Sequence, residues 1–182
     1  MIKARSSYVE PTPLGLVLAA LRPANRLVVE TMLATGLRVS DALCLTTAQV
    51  KRQRFTVREQ KTGKTRRVYI PNDLQLRILR QAGRLYAFEG RDDWRKHRTR
   101  QAVWKDMARC ARFFAASGAV RGTVTPHSAR KVYAVQEYRR TGDLDTVRQK
   151  LNHDPAHMAT TLMYALSDKL DSKALRALGK QK

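Results

Sequence analysis

Two histidines, an arginine and a tyrosine lie within one segment of forty residues, from Thr125 to Tyr164. The segment begins with Thr-Pro-His127-Ser-Ala-Arg130, continues through Leu-Asn-His153 and ends with Thr-Thr-Leu-Met-Tyr164. Imidazole and guanidinium groups donate strong hydrogen bonds to phosphate oxygens, and a phenol can serve as a nucleophile. This combination of side chains therefore indicates chemistry on a phosphate.

His127 and Arg130 are three residues apart at a predicted helix start, so they share one face of that helix. The amino-terminal end of a helix also carries partial positive charge, which favours an anion. The alternative is a buried histidine that hydrogen-bonds to the backbone. The pair is therefore a candidate phosphate site that needs partners from elsewhere in the chain.

Arg38 and Lys61 are candidate partners, and each follows or lies in a predicted turn. Arg38 comes just after Gly36, a predicted helix C-cap, and Asp41 is placed to orient its guanidinium. Lys61 lies in the turn of a predicted hairpin, from which an ammonium group can reach into a nucleic-acid groove. The alternative for both residues is a solvated surface charge.

His153 and His157 have the spacing of two zinc ligands on one helix. Pro155 lies between them and breaks a helix, so the two rings do not share a face. No group of carboxylates nearby completes a metal site. The sequence therefore predicts neither a metal nor a cofactor.

Charge is the strongest feature of the composition. The 182 residues contain 36 Lys and Arg against 15 Asp and Glu, which gives a formal net charge of +21. With 43% hydrophobic residues the chain is long enough and apolar enough to fold around a core, so the charge indicates a polyanionic partner. No apolar run approaches the ~18 residues of a membrane span. Cys44 and Cys110 are predicted to be reduced core residues of a cytoplasmic protein.

The elements that must position these side chains are mostly helical. The hydrophobic periodicity predicts a mainly α fold with one small antiparallel sheet, in the α+β class. The predicted elements are a polar lead-in over residues 1–11, a helix starting at Thr12-Pro13, a helix ending at Gly36, a short helix from Ser40, a hairpin of strands 54–58 and 66–70, and helices from Pro71 to about residue 178 with a charged loop near 88–98.

The motifs together resemble those of the tyrosine recombinase (phage integrase) family. They are Ala-Thr-Gly-Leu-Arg38, a Lys61-Thr-Gly-Lys hairpin, His127-x-x-Arg130, Leu-Asn-His153 and Thr-Thr-x-x-Tyr164, in the family's order. The resemblance implies a catalytic domain over residues 12–166, with no N-terminal core-binding domain in this chain. Residues 167–182 would form a helical tail that either closes its own core or docks on a neighbouring subunit.

The resemblance also implies an enzyme with a mechanism. Tyr164 would attack a DNA phosphodiester and form a 3′-phosphotyrosyl intermediate, while Arg38, Arg130 and His153 stabilise the charge on phosphorus. Lys61 would protonate the leaving 5′-oxygen, and His127 would move a proton or hold the phosphate. The implied function is a site-specific recombinase or integrase that needs no metal or cofactor. The alternatives are strand nicking and rejoining like a type IB topoisomerase, or DNA binding without catalysis.

Two assignments stay open at the level of sequence. His153 and Tyr164 are eleven residues apart where the family usually has nine, so His157 is an alternative to His153. Lys64 is an alternative to Lys61 as the acid. Asn152 stands where the family has glycine, and asparagine can adopt the same left-handed conformation.

The partners implied by the resemblance are double-stranded DNA, other copies of the chain and accessory proteins that bend DNA. A DNA-dependent homo-oligomer is expected, with four protomers around two duplexes, in the nucleoid of a bacterium or in a phage-infected cell. Charge and position select a set of candidate residues for contacts to the DNA, namely Arg54, Lys64, Arg66, Arg98, Arg100 and Lys131.

Overall fold

Helices make up most of the protein, as a computed structural model shows for residues 6–169, the part of the chain that the structure describes. Within these residues the helices are α1 (Pro11–Ala20), α2 (Pro23–Thr35), α3 (Val39–Leu43), α4 (Thr47–Lys51), α5 (Asn72–Gln81), α6 (Arg100–Ala116), α7 (Pro126–Thr141), α8 (Leu144–Leu151) and α9 (Met158–Ala165). A short 3-10 turn, Pro155–His157, joins α8 to α9. Together with one two-stranded sheet, these elements confirm the predicted mainly α fold with a small antiparallel sheet.

Local sequence signals explain several of the helix ends. Prolines stand in the first turns of α1, α2 and α7, where a missing N–H costs no hydrogen bond. Gly36 and Asn152 follow α2 and α8 in the left-handed conformation, as predicted for both. The helix α1 starts at Pro11, one residue before the predicted Thr12-Pro13 start, and α4 was not predicted.

Gly36 is required at its position for two reasons. Its φ of 66° lies in the left-handed region, which is strained for a residue with a side chain. A Cβ added there would also overlap the ring of Tyr133 on α7. The turn after α2 therefore lies directly against α7, which brings the residues that follow Gly36 close to the start of α7.

The sheet is a hairpin of β1 (Arg54–Arg58) and β2 (Thr65–Tyr69), which confirms the predicted strand pair to within one residue at each end of β2. One face buries Phe55, Val57 and Val68 against the helices. The other face is exposed and pairs residues across the strands as Arg54 with Tyr69, Thr56 with Arg67 and Arg58 with Thr65.

Two groups of buried side chains hold the elements together. The larger one includes Val28 and Met32 of α2, Leu43 of α3 and Met107 of α6, and burying each such side chain contributes ~1.5–3 kcal/mol. The smaller one joins α7, α8 and α9 through Tyr133, Ala134, Val147, Leu151 and Ala165. Helix α2 packs against α7, and α7 packs against α8 and α9. Hydrogen bonds from Arg130 of α7 and Arg66 of β2 bring the C-terminal ends of α2 and α8 together.

Some sequence predictions concern residues outside the described part of the chain, and others are confirmed only in part. The predicted tail over 167–182 lies almost wholly outside the described residues, as do residues 1–5 of the predicted lead-in. Both cysteines are free, but Cys44 is only half-buried whereas Cys110 is buried. Among residues 6–169, no helix combines the length and the apolar character that a membrane crossing demands.

Candidate active site

Arg130 lies at the centre of the place where the helix ends meet. It is only 1% exposed, and its guanidinium donates to the carbonyl oxygens of Gly36 and, at 2.6 Å, of Leu151. These are carbonyls at the C-terminal ends of α2 and α8, which carry partial negative charge. Burial, helped by the charge of Arg38, lowers the pKa of Arg130 to about 10, so the group stays charged at neutral pH.

Arg66 of β2 joins the same two helix ends. Its guanidinium donates to the carbonyl oxygens of Thr35 and Lys150, and burial lowers its pKa. The sequence had placed Arg66 among the candidates for DNA contact, but its guanidinium is turned inward and occupied by the backbone. Two arginines therefore tie the end of α2, which leads to Arg38, to the end of α8, which leads to His153.

Arg38 is held by an acid that the sequence analysis did not single out. Its guanidinium donates to the carboxylate of Glu59, which is 1% exposed. Asp41, the predicted partner, is 3.9 Å from the Arg38 guanidinium and instead accepts a 2.8 Å hydrogen bond from the backbone N–H of Gln60. A signal was present, because Glu59 is the only acidic residue between Asp41 and Asp73.

His153 lies between Arg130 and helix α9. Its Nε2 is 3.1 Å from Nη2 of Arg130, and its Nδ1 is 3.0 Å from the hydroxyl of Thr161. Because a guanidinium only donates, Nε2 accepts, and Nδ1 carries the proton and donates to Thr161. Burial, followed by the charges of Arg130 and Arg38, lowers the pKa of His153 to about 3. The ring is therefore neutral at physiological pH.

Tyr164 lies one turn after Thr161 on α9 and faces the same histidine. Its ring meets that of His153 edge to face, with centroids 5.5 Å apart and an angle of 77°. The side chain is half-buried, and its hydroxyl makes no hydrogen bond to any residue from 6 to 169. It is also close to Arg130, because a negative charge on its deprotonated oxygen would oppose part of the lowering of the arginine's pKa. The tyrosine thus lies beside Arg130 and His153, with its hydroxyl unengaged.

Lys61 and His127 line the exposed side of the site. Partial desolvation lowers the pKa of His127, and the charges of Arg130, Arg38, Arg100 and Lys61 add to this lowering. Lys61 is exposed and forms no ion pair within the described part of the chain. Residues from the hairpin, α6 and α7 therefore lie close enough to act on one another electrostatically.

The two open assignments can be compared with the geometry. His153 contacts Arg130 and Tyr164, whereas His157 is exposed at the end of the 3-10 turn. Lys64 donates to Asp154 at 2.8 Å, whereas Lys61 has no such partner among residues 6–169. The structure therefore brings His153 into the cluster and leaves Lys61 as the unengaged lysine of the hairpin.

The other candidates for DNA contact divide into exposed and inward-facing residues. Arg54 is exposed and lies over the ring of Tyr69, 5.2 Å from its centroid, and Arg100 is exposed at the start of α6. Lys131 donates to the carbonyl oxygen of Ser6 at 2.8 Å, and Arg98 is half-buried, with its pKa lowered by burial. Arg54, Arg100 and Lys64 are thus the members of the predicted set that face solvent.

No group of three or more His, Cys, Asp and Glu side chains placed to hold a metal ion occurs among residues 6–169. The candidate site consists of hydrogen-bond donors and one phenol instead. Such a set can bind a phosphate through its non-bridging oxygens and place a nucleophile beside it.

Comparisons with known proteins bear on the family and the fold of the whole chain. The sequence matches the model of the phage integrase family over residues 17–170. A search of the curated proteins returned no match. The fold is similar to that of XerA recombinase, with a TM-score of 0.68 and 20% identity over 100% of this chain and 65% of that chain.

Two structures that contain DNA are also similar. XerH site-specific recombinase in a pre-cleavage complex with difH substrate gives a TM-score of 0.67 and 19% identity, over 100% of this chain and 56% of that chain. The Tn1549 transposon integrase in complex with circular intermediate DNA gives a TM-score of 0.72 and 14% identity, over 99% of this chain and 68% of that chain. The chain thus spans 56–65% of the length of the XerA and XerH chains.

Proposed function

Because its residues 17–170 match the family model, the chain belongs to the phage integrase family, as its motifs predict, and we propose that it is a site-specific DNA recombinase. It would break and rejoin DNA strands through a 3′-phosphotyrosyl intermediate. The observation that carries the proposal is the meeting of Arg38, Arg130, His153 and Tyr164, which come from four separate parts of the sequence.

In the first step the Tyr164 hydroxyl oxygen attacks the scissile phosphorus. The new tyrosyl O–P bond forms as the bond from phosphorus to the 5′-oxygen breaks, and Lys61 gives that oxygen a proton. The proton of the phenol passes to His127, which is neutral near pH 7 because its pKa is lowered. One ester replaces another, so a 5′-hydroxyl from the same or another strand can reverse the step.

The arginines and His153 act on the non-bridging oxygens. Each hydrogen-bond donor aimed at charge that develops in the transition state contributes ~3 kcal/mol. His153 becomes a donor without gaining charge if its proton moves from Nδ1 to Nε2 while the Thr161 hydroxyl turns to donate to Nδ1.

The change Thr161→Val removes the hydroxyl that contacts Nδ1 of His153, so the cleavage rate of this variant should fall ~10-fold. An unchanged rate in a single-turnover assay would exclude this arrangement.

Double-stranded DNA is the partner that this function requires, and the exposed face of the hairpin extends the basic surface beyond the site. Arg54, Arg58 and Arg67 lie on that face, and the side chains of Arg58 and Arg67 form no hydrogen bond or ion pair with residues 6–169. Side chains two apart on a strand are ~7 Å from each other. We place a duplex across this face, with the scissile phosphate at Tyr164.

Recombination joins two duplexes, so the proposal includes an assembly of several copies on DNA, four by analogy with the family. Accessory proteins that bend DNA would act on the same complex. A protein with this substrate works where the DNA is, in the nucleoid of a bacterium or in a phage-infected cell.

The proposal is tested by trapping the covalent intermediate. Folded protein is incubated with a pool of nicked duplexes of random sequence, in which the short 5′-hydroxyl fragment diffuses away after cleavage, and adducts are separated on a denaturing gel. We expect an adduct with the natural chain and none with Tyr164→Phe. No adduct from any duplex would contradict the proposal, and sequencing of the trapped DNA would identify the recognition site.

A second assay separates recombination from nicking and rejoining of one strand. Two linear duplexes that carry the selected site and differ in length are mixed with the protein. Products of recombined length support the recombinase, whereas relaxation of supercoiled plasmid without such products would support a topoisomerase-like enzyme instead.

A further inference from the structure

Glu59 is a buried acid in a strongly basic part of the chain. It lies where β1 enters the hairpin turn, and its side chain has no solvent exposure. Its backbone N–H donates to the carbonyl oxygen of Lys64, and its own carbonyl accepts from the N–H of Gly63, both at 2.9 Å. The turn thus fixes the backbone of Glu59 on both sides, and with it the position of the carboxylate.

The carboxylate of Glu59 is shared by several donors. Its Oε2 accepts from the guanidinium of Arg38 and, at 2.9 Å, from the hydroxyl of Thr62, whereas its Oε1 is buried and has no hydrogen-bond partner in the described residues. A buried charge costs several kcal/mol unless charges of opposite sign compensate it. Arg38 contacts Glu59 directly, and the charge of Glu59 also opposes part of the lowering that burial causes in the pKa of Arg66 and of Arg130.

We infer that Glu59 is a positioning residue for Arg38 and the shared counter-anion of the cluster formed by Arg38, Arg66 and Arg130. This inference rests on the proposed function, and it names a residue that the family motifs in this sequence do not include. With one nitrogen of Arg38 held by Glu59, the remaining N–H groups of the fork point in a fixed direction and can receive a phosphate oxygen.

The same turn connects this role to the proposed acid. Lys61 follows Glu59 by two residues, so the contact between Glu59 and Arg38 also fixes the base of the turn that presents Lys61. A change at Glu59 should therefore affect both the phosphate oxygens and the leaving group. It should not weaken the attraction of the site for DNA, because removing an anion leaves the three arginines with a larger net positive charge.

Glu59→Gln provides the test, because glutamine keeps the shape of the side chain and removes its charge. We expect single-turnover cleavage to slow by ~100-fold, the scale of losing one aligned donor to an oxyanion. The dissociation constant for the selected duplex should stay equal or become smaller. Glu59→Asp, which keeps the charge, should recover part of the rate.

A neutral substrate isolates the effect on Arg38. A methylphosphonate at the scissile position lacks the negative charge that Arg38 compensates, so on this substrate natural and Glu59→Gln chains should cleave at rates within ~3-fold of each other. Glu30→Gln is the matched control. Glu30 is also a largely buried acid, and it pairs with Arg26 and Arg77, away from the site.

Three outcomes would overturn the inference. The first is a Glu59→Gln chain that cleaves as fast as the natural chain. The second is an affinity for DNA that falls together with the rate and with the thermal unfolding temperature, which indicates a role in folding alone. The third is an equal loss of rate on the neutral substrate. An adduct that is absent even from the natural chain would refute the proposed function, and weaker DNA binding by Glu59→Gln would then still contradict the role as counter-anion.

Discussion

The buried and the exposed sides of the candidate site hold their charges in different ways. On the buried side, Arg130 and Arg66 donate to backbone carbonyls at two helix ends, and Arg38 donates to Glu59. On the exposed side, Lys61 has no ion pair with the residues that the structure describes, and His127 faces solvent. The first group is built into the fold, whereas the second is supported only by the turn or helix that carries it.

Because of this difference, substitutions on the two sides should have different effects on folding and on cleavage. A residue of the buried side should affect both folding and cleavage when it is changed, because its hydrogen bonds join helices. A residue of the exposed side should affect cleavage alone. The site can therefore be divided by comparing two measurements on each variant, the free energy of unfolding and the rate of adduct formation.

Arg130→Ala should have the largest effect. The change leaves the carbonyl oxygens of Gly36 and Leu151 buried without their donor, and it removes the only hydrogen bond to Nε2 of His153 within residues 6–169. Each buried polar group left unpaired costs ~1–3 kcal/mol, so the free energy of unfolding should fall by ~2–5 kcal/mol. Denaturant unfolding measures this loss, and no adduct should form. A stability within error of the natural chain would contradict the division between the two sides.

Lys61→Ala should slow cleavage without loss of stability. Exposed side chains contribute within ~0.5 kcal/mol to folding, whereas general acid catalysis contributes ~10²–10⁴-fold to a rate. A substrate with a 5′-sulfur in place of the 5′-oxygen should restore the rate, because a thiolate leaves without protonation. Lys64→Ala is the matched control and should cleave normally. Rescue of Lys64→Ala by the 5′-sulfur, with Lys61→Ala unaffected by it, would move the acid role to Lys64.

The sequence singled out the residues that carry the motifs, but not all of the residues that hold them in place. Motif spacing selected a set of candidates, namely Arg38, Lys61, His127, Arg130, His153 and Tyr164, and hydrophobic periodicity predicted the helices and the hairpin. It did not identify Glu59 as the partner of Arg38, because a contact between residues 21 apart depends on how the hairpin packs on α3. Arg66 was a candidate for DNA contact because of its charge and its position in the sequence, although it shares a strand face with Val68 and Ile70, which are buried.

The roles of the individual site residues stay predictions, since the family match and the similar folds bear on the whole chain and not on single side chains. The geometry nevertheless favours His153 over His157, because Pro155 starts a 3-10 turn that takes His157 into solvent. The extra length of the loop, which made the sequence ambiguous here, is thus accommodated after His153.

The pH dependence of stability should distinguish the two histidines of the site. The unfolded chain binds a proton on His153 near the ordinary pKa of 6.5, whereas the folded chain holds this pKa at about 3. The unfolded state therefore binds more protons between these values, and folding should lose at most ~1.4 kcal/mol per pH unit as the pH falls below 6.5. His153→Gln should flatten this slope in unfolding experiments between pH 7 and 5. The exposed His127 should contribute less, and an unchanged slope in His153→Gln would contradict the neutral state of the half-buried His153.

The double change Arg58→Gln and Arg67→Gln should have the smallest effect on the site itself. It tests the exposed hairpin surface that lies beyond the site. Both arginines are exposed on the hairpin, on the face opposite Phe55 and Val57, so neither stability nor cleavage of a short duplex centred on Tyr164 should change. Binding of a longer duplex should weaken, and the slope of log K against log salt should become less steep by ~2, since each phosphate contact contributes ~0.9. Lys105→Gln with Arg112→Gln, on the exposed side of α6, is the control. An equal change of slope for the hairpin pair and the α6 pair would mean that DNA binding depends only on net charge. A change confined to the hairpin pair would show that the duplex crosses β1 and β2.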